Sequence, residues 1–183
     1  MIADRNPGHV SILLLFCLSG CGSTYVDPTS GGTARVRILA PTVSFTESAR
    51  VVFYPDGKCQ SAAEFGLLGG NLSAMREKNL TMLGMPTVLP IGAGKAFERR
   101  VPAGERVLFH ADSRKGQDLC TAHASFVPRV DGDYEILLRS TSHHCGLDVR
   151  KIGTDATGTA FAVKPTDVTF PKECDKRHVS GGT

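Results

Sequence analysis

Residues 120–128 read CTAHASFVP, so Cys120, Ala122, Ala124 and Phe126 fall on one side of an extended chain and Thr121, His123 and Ser125 on the other. A period of two marks a half-buried strand and excludes a helix, whose apolar residues recur every third or fourth position. The pattern returns in RVRIL (35–39), RVVFYP (50–55), AFERRV (96–101), ERVLFHA (105–111), YEILLRS (134–140), CGLDVRKI (145–152), AFAV (160–163) and DVTF (167–170). Only Leu72 to Lys78 offers a helical turn or two. Short strands at this spacing, about eight in all, predict an all-β chain folded as a single antiparallel β-sandwich of immunoglobulin-like or transthyretin-like type. Within it, Pro102-Ala103-Gly104 reads as a tight turn making a hairpin of 96–101 and 105–111, and 129–133 (RVDGD) as the turn before Tyr134. The sandwich is expected to span 35–174, with a flexible tail at 175–183.

The chain opens with MIADRNPGH and then VSILLLFCL, a short polar segment followed by an apolar run of secretory length. That run, Val10 to Leu18, is less than half the roughly 20 residues that a membrane-spanning helix needs. Leu18-Ser19-Gly20-Cys21 follows and resembles the bacterial lipoprotein lipobox. The resemblance implies cleavage before Cys21, a diacylglyceryl thioether on its sulfur and usually an acyl chain, such as palmitate, on its new amino group. Two or more chains anchor stably where one does not. Residues 1–20 are then a signal peptide, and 21–34, rich in Gly, Ser, Thr and Pro, read as a flexible tether. Gly22 stands where an aspartate would hold the lipoprotein at the inner membrane, which favours the outer membrane, facing the periplasm.

Of six cysteines, Cys17 leaves with the signal and Cys21 takes lipid, so Cys59, Cys120, Cys145 and Cys174 remain for an oxidising compartment. Two disulfides are expected, and four cysteines allow three pairings. A hairpin of 145–152 with 166–174 would set Cys145 beside Cys174 and leave Cys59 to Cys120. No CxxC pair occurs, so zinc ligation by these cysteines is disfavoured.

Chemistry-bearing motifs are sparse. His143-His144-Cys145 has metal-ligand residue types, but neighbours on a strand point to opposite faces, and STSHH reads better as a polar turn. With Phe109 set opposite Ala122, His110 and His123 would lie diagonally on an outer face, roughly 7 to 8 Å apart and facing solvent. No GxSxG, HExxH or SxxK motif occurs, and neither LLGGNLS nor PIGAGKAF is a phosphate loop. No catalytic residue, metal site or cofactor is expected, and the chain reads as a non-enzyme. With 21 Lys and Arg against 18 Asp and Glu, scattered along the sequence, no nucleic-acid footprint appears. One long stretch, Gln60 to Lys95, reads as an irregular loop, either a binding loop or a crossover filling the sandwich end with Leu67, Leu68, Met82, Leu83 and Met85.

Tyr54-Pro55, Leu83-Gly84-Met85-Pro86, Pro102-Ala103-Gly104, Phe126-Val127-Pro128 and Asp133-Tyr134-Glu135, in that order around the cysteines, resemble a loose group of uncharacterised proteobacterial lipoproteins. The resemblance implies a lipid-anchored β-sandwich and assigns no catalytic residue. The expected role is binding of another envelope or secreted protein through the sandwich. The alternatives are a small ligand, sugar or metal, or inhibition of a hydrolase such as lysozyme in the periplasm.

Overall fold

The inward alternation of these strands is satisfied by two stacked sheets. A computed structural model describes residues 23–42, 47–69, 81–92, 95–115, 118–140 and 145–171. Its strands are β1 (Ser23–Thr24), β2 (Thr33–Leu39), β3 (Ser48–Tyr54), β4 (Ala63–Gly69), β5 (Ala96–Pro102), β6 (Val107–Lys115), β7 (Asp118–Phe126), β8 (Asp133–Ser140), β9 (Cys145–Thr154) and β10 (Ala160–Val163). They form two five-stranded sheets, β1-β4-β3-β6-β7 and β10-β9-β8-β2-β5. The fold is all-β and matches the expected sandwich. Two neighbour pairs, β1/β4 and β2/β8, run parallel, and the others are antiparallel.

The space between the sheets is filled by aromatic rings in a chain of contacts. Tyr25 meets Phe53 at 4.8 Å between centroids, Phe53 meets Phe109 at 5.1 Å, Phe109 meets Phe126 at 5.9 Å, and Phe126 meets Tyr134 at 5.0 Å. These separations lie within the range in which ring quadrupoles add to the area buried. Tyr25 is only 9% exposed, and its hydroxyl donates to Arg100 O. The stretch read as a flexible tether therefore contributes both a strand and a core ring, and Asp27 pairs with Arg99 at 3.2 Å.

Three expected hairpins are corrected. Residues 96–101 and 105–111 lie in different sheets, β5 beside β2 and β6 between β3 and β7. Pro102-Ala103-Gly104 is thus a crossing, held where Ala103 N donates to Gly32 O and Gly104 N to Pro128 O. Gly104 has φ 90, a left-handed conformation that residues with a Cβ rarely adopt. Residues 127–132 likewise carry the chain from β7 across to β8. Finally, β9 pairs with β10, not with 166–174, where Thr169 instead bridges Ser125. Turn chemistry reports only that the chain reverses; the inward faces decide whether it returns to the same sheet or the opposite one.

The long stretch from 60 to 95 is also more ordered than a loop. Ala63–Gly69 forms β4, which buries Phe65 and Leu68, and residues 81–92 lie over the outer face of β2, β5 and β8. Arg37 pins the latter segment. Its Nη2 donates to Met85 O at 2.7 Å and to Glu98 Oε1 at 2.5 Å, and its Nη1 donates to Pro86 O at 2.9 Å. Glu98 Oε2 accepts in turn from the Leu83 and Met85 amides. Of the expected end-fillers, Leu68 and Met85 are buried, whereas Met82 is half exposed.

Candidate functional site

On one side of the sandwich β7 faces β9. A disulfide closes it: Cys120 on β7 bonds Cys145 at the start of β9, with Cα atoms 5.5 Å apart. This replaces both expected pairings, Cys145 with Cys174 and Cys59 with Cys120. The reason is the facing of the sheets. The β8–β9 hairpin sets Cys145 opposite Ser140, at the end of β9 that stacks on Cys120. Cys59 is disulfide-bonded as well. Cys21, Cys174, His143 and His144 lie outside the described residues.

On the outer face of the first sheet, His110 and His123 are directly opposed residues of β6 and β7, not diagonal ones. The expected register was off by two, since Phe109 sits opposite Ala124 and not Ala122. Both rings are buried, with His110 Nδ1 and His123 Nε2 2.6 Å apart. His110 Nε2 contacts Asp112 Oδ2 at 2.8 Å, and Thr121 donates to Asp112 Oδ1 at 2.9 Å. Burial pushes the Asp112 carboxyl upward. The hydrogen bond and charge of His110, the Thr121 hydroxyl and the nearby Arg50 outweigh it, and the group ends below the usual aspartate value. Because an ionised carboxylate only accepts, His110 donates its Nε2–H to Asp112 Oδ2, and the close contact of His110 Nδ1 with His123 Nε2 continues the chain of hydrogen bonds.

The result is a relay of Asp112, His110 and His123 running across two strands. Sequence reasoning missed its carboxylate, although Asp112 follows His110 by two residues and so shares its face. The two imidazoles are spaced for a hydrogen bond and not as two ligands of one zinc. Two nitrogens on one tetrahedral zinc stand about 3.3 Å apart at ordinary bond lengths, wider than the 2.6 Å found here. No group of three metal-ligating side chains occurs among the described residues.

His123 also borders a cleft of about 630 Å³ between β7 and β9. Leu147 and Ala122 contribute apolar wall, Arg139, Asp148 and Lys164 charged wall, and Phe170 a ring that is 54% exposed. The Thr169–Ser125 bridge holds the segment along β7 and turns Phe170 outward, while Val168 packs against the core. Compared with known proteins, the chain matches no protein-family model and no curated protein.

Proposed function

We propose that this chain is a lipid-anchored, non-enzymatic protein of the bacterial cell envelope that binds an extended segment of another envelope or secreted protein along β10. The supporting observation is the chemistry of that edge. β10 is the outermost strand of its sheet, and its sequence AFAV carries no charge, while Phe161 and Val163 are 45% and 48% exposed on one side of it. Natural sheet edges are usually blunted by lysine, proline or bulges, and an apolar edge left open is a template for a partner strand.

The anchor comes from the LSGC motif and shapes how such a protein would sit. β1 begins at Ser23, two residues after Cys21, so the chain between them reaches at most about 7 Å. The β1 side would rest close to the headgroups, without a long tether. β10 lies at the other flank of the sandwich, across the full width of its sheet from β5, which packs beside Tyr25 and Asp27. The partner-binding edge thereby faces away from the anchored side.

A photocrosslinking residue at Val163 in membranes of cells expressing the full chain should give a discrete protein adduct. The same residue at Val26, exposed but outside the strands, should not. Absence of an adduct at Val163, or equal adducts at both, would sink the edge proposal. For the anchor, Cys21→Ser should abolish palmitate labelling and release a folded protein, and an unlabelled, soluble parent chain would refute it.

A further inference from the structure

We infer that the cleft between β7 and β9 binds a small acidic saccharide, a site separate from the β10 edge and independent of the anchor. Its volume, about 630 Å³, lies within the roughly 300–1,000 Å³ typical of small-molecule sites. Charge selects the ligand class. Asp148 is engaged mainly by Arg150, at 2.9 and 3.1 Å, whereas Arg139 approaches it only at 3.4 Å and keeps 48% of its side chain exposed. With Asp148 paired to Arg150, Arg139 and Lys164 leave the cleft lining with surplus positive charge. A carboxylate or phosphate is the complement of such a wall, because charge-assisted hydrogen bonds are about twice as strong as neutral ones.

Phe170 selects the ring. It lines the same cleft as the two cations, exposed, on a segment fixed by two backbone hydrogen bonds between Thr169 and Ser125, 2.8 and 2.9 Å long. An aromatic face carries negative quadrupole density, which attracts the polarised C–H face of a pyranose. Thr121 and His123 border the opposite wall, and the relay through His110 to Asp112 fixes the His123 ring orientation. The disulfide at the cleft's end holds the two walls at a set spacing, so little ordering is required on binding.

Calorimetric titration of the detergent-solubilised full chain with galacturonic acid, glucose 6-phosphate and glucose tests this. At least one acid should bind, and glucose should be weaker by about tenfold or more, the loss of one charge-assisted contact. Galacturonic acid alone would assign a carboxylate ligand, and glucose 6-phosphate alone a phosphorylated one. Phe170→Ala and Lys164→Gln should each weaken the acid by about tenfold with an unchanged melting temperature, since both side chains are exposed. No heat with either acid, equal binding of glucose, or undiminished binding by Phe170→Ala would overturn the assignment. The crosslink at Val163 would be unaffected by any of these results.

Discussion

His110 Nδ1 and His123 Nε2 stand 2.6 Å apart on directly opposed residues of neighbouring strands, under cover from solvent. A hydrogen bond needs one donor and one acceptor, so only one of these nitrogens carries a proton. His123→Ala removes one of the two partners and should destabilise the chain by about 1–3 kcal/mol, the cost of taking a partner from a buried polar group. His123→Gln keeps a side chain that can donate or accept and should recover part of that loss. Urea unfolding measures both, and a cost for His123→Ala under about 0.5 kcal/mol, the scatter of neutral surface changes, would show that the contact contributes nothing.

Asp112 gives the relay a pH signature. Its carboxyl lies below the ordinary aspartate value of 3.8 in the folded chain, so its contribution is present above that value and fades as pH falls through the lower folded one. Asp112→Asn should be less stable than the parent by about 1 kcal/mol at pH 7, a modest figure because the side chain is a third exposed. The two unfolding curves should converge below pH 3.8. A gap that stays constant into strong acid would mean that the lost contact is not the ionised carboxylate.

The class of fold was legible because Ala122, Ala124 and Phe126, or Tyr134, Ile136 and Leu138, alternate cleanly, and alternation follows directly from strand geometry. Less visible was β4. In AEFGLLG the Gly66 site is closed by Phe97, whose ring a Cβ would meet at 2.5 Å, and a register shift between Val51 and Val52 interrupts its ladder with β3. Glycine there permits close packing between sheets, although in sequence it reads as a turn. Tyr25 was hidden for another reason: a two-residue strand has no period, and its ring is buried by residues 28 or more positions away. Of the cleft, His123 could be noted and the cysteines counted, but its walls come from β7, β8, β9 and the 164–171 segment, which only the tertiary pairing brings together.

Tyr25 carries a prediction of its own. Tyr25→Ala should cost about 3–5 kcal/mol, as for other large buried rings, and Val26→Ala close to nothing because Val26 is 79% exposed. Equal, small effects on the melting temperature would show that 23–32 is a tether after all.

Arg37, Glu98 and Glu135 are fully buried together, and Glu135 Oε1 has no hydrogen-bond partner among the described residues. Arg37→Met leaves two carboxylates uncompensated and should destabilise by about 3–5 kcal/mol, whereas replacing all three by apolar residues of similar volume should cost much less. The triple variant should still lose protection at residues 81–92 in hydrogen exchange, because the guanidinium that holds the Met85 and Pro86 carbonyls is gone. Retained protection there would show that Leu89 and Ile91, packed on Leu39 and Leu137, hold the segment alone.

The disulfides give the most direct test of the topology. Cys120 and Cys145 belong to different sheets and are 25 residues apart, a closure for which the chain-entropy model gives about 3.5 kcal/mol before strain. Cys59 is bonded too, on the outer face beside Val52, Tyr54 and Leu108. If Cys17 is removed with the signal and Cys21 carries lipid, Cys174 is the thiol left for Cys59. Non-reducing peptide mapping of exported protein should then yield two linked pairs, Cys120 with Cys145 and Cys59 with Cys174. The double variant Cys120→Ala, Cys145→Ala should unfold at lower denaturant by an amount near 3.5 kcal/mol and lose saccharide binding more than proportionally, since the cleft walls are no longer tied. A peptide joining Cys145 to Cys174, or one joining Cys59 to Cys120, would refute the bridge between the two sheets.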